Sequence, residues 1–269
     1  MLRILLILFA LATTTAVDAQ KEVVGGCVKK DGVVSGINQT SRFAMYSVMK
    51  FPQALYVADY LFRNNIELDR GVMVRKENLM QDTWSPMLET FESERRFTYS
   101  ELLTLSLLQS DNNACDILFE QCGSPRRVGK YIRRLGFKDI RIRKKERQMH
   151  ANPALSDKNW CTPQSIVELL EWFVAHHNDN EMFRFVWELM EKCQTGVDRL
   201  PAAVASSAKI VHKTGTGYPL PSGLPSGICD VGIIIHEDGR QVPIAVFITN
   251  PSSQSRISDV AKQLLDKGF

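Results

Sequence analysis

Strand-like segments at the two ends of the chain, separated by a long helical middle, restrict the fold more than any other feature of the sequence. Near the N-terminus, apolar runs on either side of Asp31-Gly32 predict a β-hairpin over residues 23–37, because this pair supplies the positive φ of a tight turn. Three more strand-like segments lie at residues 209–214, 229–236 and 242–249. The pattern predicts an α/β fold of the α+β type, with an antiparallel sheet built from both chain ends, flanking helices and an inserted all-helical lobe.

The middle of the chain shows helical spacing with recognisable start and stop residues. Thr98 is a candidate cap for an almost wholly apolar helix, and Thr162 precedes Pro163 at the start of another. Gly123 and Gly136 are typical helix terminators. Further helical patterns cover residues 113–121, 125–135, 163–177, 181–192 and 252–267. Residues 61–84 indicate only short elements and loops, and residues 137–160 show no period, which for a loop of this length usually indicates function.

The first residues have a different character from the rest of the chain. Arg3 precedes an apolar run at residues 4–12, and small and polar residues follow as far as Ala19. This order is typical of a secretory signal peptide, so residues 1–19 are predicted to be removed on export and residues 20–269 to form the mature domain. The apolar run is too short for a stable membrane anchor.

Composition limits the class of protein. The chain has 269 residues, of which 44% are hydrophobic and 23% charged, as expected for a globular protein of one large domain or two interleaved lobes. A net charge of +3 argues against a nucleic-acid partner, since such proteins concentrate Lys and Arg in patches. The six cysteines follow the signal segment, and their sequence does not select a disulfide pairing. No zinc-ligand spacing is present, so no metal site is predicted.

Ser47 and Lys50 form the first candidate chemical pair. In a helix their spacing of three residues brings the hydroxyl and the amine onto one face. A lysine among apolar neighbours can take the serine proton, which makes the serine competent to attack a carbonyl. The same spacing recurs at Ser206 and Lys209, so the pair alone does not define a site.

Two tripeptides supply the companions that this pair needs. Ser110-Asp111-Asn112 follows the apolar helix, and Lys213-Thr214-Gly215 ends the first C-terminal strand. Ser-x-x-Lys, Ser-Asp-Asn and Lys-Thr-Gly in this order are the motif set of class A β-lactamases and penicillin-binding proteins. With these motifs the chain resembles the class A serine β-lactamases over essentially all of residues 23–269.

The resemblance implies a role for each motif residue. Ser47 stands at the acylated serine, Lys50 at its activating amine, and Ser110 at the hydroxyl that passes a proton to the leaving nitrogen. Asn112 stands at the side chain that holds the substrate amide.

The resemblance also assigns the strand motif to the substrate carboxylate. Lys213 and Thr214, followed by Gly215, supply a cation and a hydroxyl for that group. The backbone N–H groups of Ser47 and Thr216 would form the oxyanion hole.

Three further residues are candidates for substrate binding. Trp84, before Ser85-Pro86, resembles an aromatic residue at the mouth of the cleft, and Arg199 lies in a segment that in some class A enzymes adds to carboxylate binding. Packing or a surface charge is the alternative for each. His150 stands where most class A enzymes have an Asn that shares the deacylating water, as it does in a divergent class A branch.

Glu146 distinguishes the two families that share the three motifs. Penicillin-binding proteins keep a long-lived acyl-enzyme because nothing activates a water to hydrolyse it, and a carboxylate beside the ester supplies the missing general base. We therefore expect Glu146, in the aperiodic loop, to be that base.

Two departures from the family pattern affect the expected structure. The Arg and Asp that usually close the base of this loop with an ion pair appear here as Lys144 and Asn159. The family also has a long helix before the first strand, whereas only residues 20–22 separate the predicted cleavage site from that strand. We expect apolar surface of the sheet and the last helix to be exposed as a result.

The resemblance implies a periplasmic, monomeric enzyme that hydrolyses the β-lactam ring of antibiotics and gives resistance to them, without a cofactor or a metal. Its α/β lobe would comprise residues 20–46 and 195–269, and its helical lobe residues 47–194. Two alternatives stay open at this point. One is a penicillin-binding D-Ala-D-Ala peptidase, and the other is a non-catalytic β-lactam-binding remnant.

Overall fold

A five-stranded antiparallel sheet built from both ends of the chain forms the centre of the computed structural model, which describes residues 21–266. The strand order is β2-β1-β10-β9-β8. These strands are β1 Val23–Lys30, β2 Val33–Ile37, β8 Lys209–Thr216, β9 Gly227–Ile235 and β10 Gln241–Thr249. The predicted fold class and hairpin are confirmed, with Asp31 (φ 51°) and Gly32 (φ 80°) in the turn. The predicted signal peptide lies outside the described residues.

Helices cover both faces of the sheet. On one face α6 (Pro163–His176) packs against β1 and β10, and on the other α8 (Arg256–Asp266) packs against the same two strands. Side chains of β9 alternate between the two cores: Val231 and Ile233 belong to the larger core, and Ile234 to the core under α8. Strand β8 forms one edge of the sheet.

The predicted helices are present with well-formed ends. They are α1 Lys50–Arg63, α2 Tyr99–Leu108, α3 Asn112–Cys122, α4 Pro125–Arg134 and α7 Glu181–Glu191, in addition to α6 and α8. Thr98 and Glu101 form a reciprocal capping box at the start of α2, and Thr162 Oγ1 accepts the Ser165 N–H at the start of α6. Both glycine terminators have positive φ, 149° at Gly123 and 109° at Gly136.

Short elements occur where the sequence showed little or no period. β4 (Gly71–Arg75) pairs with β5 (Glu94–Thr98), and β3 (Phe43–Ala44), β6 (Ile140–Arg141) and β7 (Trp160–Cys161) form a small sheet in the order β3-β7-β6. The segment at residues 137–160 also contains a helix, α5 (Glu146–Ala151), rather than being wholly a loop. These elements are too short for a periodic pattern and depend on partners distant in the chain.

Candidate active site

Ser47 lies in a single 3-10 turn, Tyr46–Met49, and Lys50 is the first residue of α1. The expectation that both stand on one α-helix is therefore wrong for Ser47. The two still meet, because residues three apart eclipse each other in a 3-10 turn, and Lys50 Nζ lies 3.1 Å from Ser47 Oγ. Tyr46 is held at φ 45°, an unfavourable backbone conformation of the kind found at functional sites.

The ammonium group of Lys50 connects most of the predicted catalytic residues. It is fully buried and donates to the Ser110 backbone oxygen at 2.7 Å and to Asn112 Oδ1 at 2.8 Å. Glu146 Oε1 lies 3.1 Å from the same nitrogen. Such a buried cation requires this set of oxygens, since an unpaired charge in the interior is strongly unfavourable.

Ser110 is held by a buried polar network beneath it. Asp111 caps α3 by accepting the Ala114 N–H at 2.8 Å, and Ser85 Oγ donates to both of its carboxylate oxygens at 2.9 Å. Ser110 itself has φ 60°, so this network fixes a backbone conformation that a serine rarely adopts. The network therefore determines where the Ser110 hydroxyl points.

Two lysines approach the Ser110 hydroxyl. Lys213 Nζ lies 3.1 Å from Ser110 Oγ and Lys50 Nζ lies 3.3 Å from it. Burial lowers the pKa of Lys213 to about 8, and the nearby Lys50 charge acts in the same direction. The hydroxyl is thus placed to receive a proton from one side and to donate one toward the cleft.

Glu146 begins α5, and the carboxylate of Asp116 on α3 fixes that end of the helix. Asp116 Oδ1 accepts the Glu146 N–H at 2.8 Å and Oδ2 accepts the Arg147 N–H at 2.9 Å. Burial raises the pKa of Asp116 to about 6; the two hydrogen bonds oppose the shift and the Glu146 charge adds to it. Sequence reasoning missed Asp116, although it follows Asn112 by one helical turn on α3.

Asn159 closes the base of the segment that carries Glu146. Its side chain is fully buried, Oδ1 accepts the N–H groups of Arg143 and Lys144 at 2.7 and 2.9 Å, and Nδ2 donates to the Lys144 backbone oxygen at 2.9 Å. Neutral amide-to-backbone hydrogen bonds thus stand where the family pattern has an ion pair.

The structure places two of the weaker candidates at the periphery of the cleft. Trp84 is 64% exposed and its ring donates to the Gln109 backbone oxygen at 2.7 Å, while its own backbone oxygen accepts the Asn112 N–H at 3.1 Å. His150 faces outward and pairs with Asp82 at 3.0 Å. Trp84 therefore contacts the predicted site residues through its backbone oxygen, which binds Asn112, and not through its ring.

Arg199 holds the end of β8 through its guanidinium group. Its guanidinium donates to the backbone oxygens of Gly215 and Cys229 at 2.9 and 3.1 Å, and to Thr216 Oγ1 at 2.7 Å. Thr214 Oγ1 is 2.5 Å from Thr195 Oγ1. A Cβ on Gly215 would lie 2.6 Å from the Met45 backbone oxygen, so only glycine allows β8 to lie this close to the turn that carries the serine.

A cleft of about 240 Å³ opens above the cluster. It is lined from several parts of the chain, among them Tyr46, Ser47, Asn112, Glu146, His150 and Thr216. The cleft is equipped for acyl transfer to the serine and for hydrolysis of the resulting ester. It combines a buried lysine beside a serine, a second lysine on a strand and a carboxylate.

The fold and the site are those of a serine acyl-transfer enzyme, and comparison with known proteins identifies the family. The sequence pattern of the Beta-lactamase enzyme family matches residues 12–267. The chain belongs to this family, and it is a class A serine β-lactamase, a hydrolase of the β-lactam ring.

Named relatives agree with this assignment. β-Lactamase VEB-1 of Pseudomonas aeruginosa is 32% identical over 236 residues, which cover 84% of this chain and 78% of the relative. A β-lactamase of Bacteroides uniformis is 30% identical over 258 residues, which cover 93% of this chain and 87% of the relative.

Solved structures show the same fold. TLA-3 extended-spectrum β-lactamase has a TM-score of 0.86 at 30% identity, covering 90% of this chain and 92% of that one. A class A β-lactamase from Bacteroides cellulosilyticus DSM 14838 has a TM-score of 0.84 at 29% identity, covering 91% of this chain and 92% of that one.

Proposed function

We propose that the enzyme opens the β-lactam ring of antibiotics through an acyl-enzyme on Ser47 and releases the product with Glu146 as general base. One observation carries the proposal: Lys50 Nζ lies 3.1 Å from both Ser47 Oγ and Glu146 Oε1. A single buried amine thus links the nucleophile to the carboxylate.

Acylation follows from this linkage. A proton that moves from Lys50 to Glu146 leaves a neutral amine, which takes the proton of Ser47 as its oxygen attacks the β-lactam carbonyl carbon. When the C–N bond breaks, Ser110 Oγ gives its proton to the ring nitrogen and takes one from Lys50 at 3.3 Å, and Glu146 then returns its proton to Lys50. The N–H groups of Ser47 and Thr216 are assigned to the oxyanion.

Deacylation uses the carboxylate on the opposite wall. Glu146, ionised again, takes a proton from a water that attacks the ester carbonyl carbon. The Ser47 oxygen takes a proton from Lys50 as it leaves, and Glu146 passes the proton of the water to Lys50. The hydrogen bonds from its backbone and that of Arg147 to Asp116 hold Glu146 over the ester. A penicillin-binding peptidase lacks this step, and the presence of Glu146 is the reason that we favour hydrolysis over that alternative.

Substrate binding is assigned to the two edges of the cleft. Asn112 holds the substrate amide, and Lys213, Thr214 and Thr216 bind its carboxylate, supported by Arg199, which fixes the Thr216 hydroxyl at 2.7 Å. Gly215 lets the strand approach the serine. We assign Trp84 and His150 to the rim of the cleft.

The test is turnover of a chromogenic cephalosporin by the purified enzyme, with Ser47→Ala as the control. We expect steady hydrolysis by the wild-type protein and none by the variant. A single burst of one equivalent without further turnover would instead identify a penicillin-binding peptidase. A folded protein without either reaction would contradict the proposal.

We further propose that residues 1–19 are a signal peptide and that the mature enzyme is a periplasmic monomer that confers antibiotic resistance. Its lobes would be residues 20–46 with 195–269, and residues 47–194. Within residues 21–266, none of the helices is long and apolar enough to cross a membrane. Mass determination of the protein from a periplasmic extract tests the cleavage site, and light scattering tests the monomer.

A further inference from the structure

Positive charge is concentrated in one part of the chain, residues 125–145. This segment has ten Lys and Arg residues and a single acid, Asp139, which gives a net charge of +9, whereas the whole chain carries +3. The rest of the chain is therefore net negative, and the modest total charge conceals a strongly basic region. The ten cations are Arg126, Arg127, Lys130, Arg133, Arg134, Lys138, Arg141, Arg143, Lys144 and Lys145.

Helix α4 places half of these cations on its outer face. Residues 126, 127, 130, 133 and 134 fall on one side of a helix, and all five side chains are exposed. The opposite side is buried through Val128, Tyr131 and Ile132. No acidic residue occurs in α4, so the outer face carries charge of one sign only.

The segment that follows α4 extends this charged face. A Cβ on Gly129 would lie 3.2 Å from the Ile142 backbone oxygen, so α4 packs directly against the backbone of that segment. Arg126 and Arg133 lie about one turn on either side of Gly129 and thus border the contact. Ile142 is buried and the next residue, Arg143, is exposed, as expected where an extended chain alternates between two sides.

The exposed cations of this region together are called the basic face. They are Arg126, Arg127, Lys130, Arg133, Arg134, Lys138 and Arg143. Within residues 21–266, none of these seven side chains forms a salt bridge. The nearest pairs in the chain are Lys145 with Glu120 at 3.0 Å and Arg63 with Asp59 at 2.9 Å.

The charges of the basic face do not stabilise α4. Lys130 has a like charge four residues before it, at Arg126, and another four residues after it, at Arg134, and such pairs destabilise a helix. Arg126 and Arg127 stand in the first turn, where the helix dipole disfavours cations. A partner outside the chain therefore explains this charge better than the stability of the helix does.

The shape of the basic face indicates an extended anionic partner. The outer side of a helix is convex, so it presents its cations to a broad surface and does not enclose a small anion. The seven exposed residues include no aromatic side chain on which a base could stack, as single-stranded nucleic acids require. A layer of lipid phosphates needs only a cluster of Lys and Arg, each of which strengthens partitioning about fivefold.

We propose that the basic face is a reversible docking surface for membranes that contain anionic phospholipid. The association is electrostatic, with the cations at the lipid phosphates and without insertion of a helix into the bilayer. The proposal rests on the proposed export, which would bring the enzyme to a membrane surface. It does not depend on hydrolysis of β-lactams.

Sedimentation with vesicles tests the association on the purified enzyme. We expect it to pellet with phosphatidylcholine vesicles that contain about 30% phosphatidylglycerol, and to stay in the supernatant with pure phosphatidylcholine. Binding should be lost in about 0.5 M NaCl, because salt screens charges at an exposed surface. Equal binding to the two kinds of vesicle, or binding that survives the salt, would overturn the proposal.

Charge removal locates the surface. Arg126→Gln, Lys130→Gln and Arg133→Gln combined should lower the partition coefficient about a hundredfold. A control removes the same number of charges at exposed lysines elsewhere. Its substitutions are Lys30→Gln, Lys192→Gln and Lys262→Gln. The control should bind within about twofold of the wild type, since distant exposed charges are screened. Equal losses in the two variants would assign binding to net charge and overturn the basic face.

Thermal unfolding of the same variant separates docking from stability. Glutamine is a good helix former and its introduction relieves the repulsion along α4, so the Tm of the variant should equal or exceed that of the wild type. A lower Tm would mean that the cations serve the fold, which contradicts the proposal.

Two further measurements distinguish the possible outcomes. Tighter binding to a duplex DNA oligonucleotide than to the anionic vesicles would overturn the choice of a lipid surface as the partner. Turnover of a chromogenic cephalosporin in solution should be equal in the wild type and both variants, because none of the substituted residues lines the cleft. Absence of turnover in all three proteins would count against the proposed function, and the vesicle result would stand by itself.

Discussion

The carboxylate of Asp116 accepts the backbone N–H of Glu146 at 2.8 Å, so one buried acid holds another by its main chain. The second oxygen of Asp116 accepts the next N–H, that of Arg147, at 2.9 Å. Both bonds lie at the start of α5, where orphan N–H groups and the helix dipole favour a negative charge. The carboxylate that we propose as general base is thus positioned by a residue outside the motifs of the family.

The pH dependence of stability should show the titration of Asp116. Its pKa is raised from 3.8 to about 6, so its ionisation disfavours the folded state, and its contribution to the free energy of unfolding is lost as pH rises through 6. Two units correspond to about 3 kcal/mol. The free energy of unfolding of the wild type, measured relative to Asp116→Asn, should fall by up to that amount between pH 4 and 7. Parallel curves for the two proteins would contradict this.

Removal of the Asn159 side chain should destabilise the protein. Asn159→Ala removes the hydrogen-bond partner of two backbone N–H groups and one carbonyl in the partly buried base of the segment, which should lower the free energy of unfolding by about 2–4 kcal/mol. Asn152→Ala is the matched control, because Asn152 is exposed in the same segment and only caps Ala154. Denaturant unfolding should show a loss of less than about 1 kcal/mol for the control. Equal losses would mean that Asn159 does not close the segment.

Lys213 should set the alkaline limb of the activity profile. Burial lowers the pKa of this lysine to about 8, so above that pH it loses the charge that we propose binds the substrate carboxylate, and kcat/KM should fall. Lys213→Arg keeps its charge, since a guanidinium does not deprotonate in this range, and its limb should move up by at least one pH unit. Lys209→Arg, at an exposed position of the same strand, should leave the limb in place. If the alkaline limb of the kcat/KM profile does not move in Lys213→Arg, the titration that causes it belongs to another group.

The motif residues could be predicted from the sequence because acyl transfer requires particular side chains at short, recognisable spacings. Ser47, Ser110 and Lys213 were assigned from short patterns. The structure places Ser47 Oγ within hydrogen-bonding distance of Lys50, and Ser110 Oγ within hydrogen-bonding distance of both Lys50 and Lys213. The sheet built from both chain ends was predictable because its long strands are apolar runs separated by clear turns.

The positioning residues were not accessible in the same way. Asp116 belongs to no short pattern, and its partners are brought to it by the packing of α5 against α3. Asn159 was noted only as a departure from an ion pair, because a sequence does not show that an amide will bind three backbone groups. The helix α5 was missed since six residues are too few to display a period.

Trapping of the acyl-enzyme tests the assignment of Glu146 to deacylation most directly. Glu146→Ala, mixed with a β-lactam and examined by intact mass, should retain one covalent adduct per protein, and peptide mapping should locate it on Ser47. The wild type under the same conditions should return to the free mass within the time of the measurement. A Glu146→Ala enzyme that turns over as freely as the wild type, without a persistent adduct, would contradict the account.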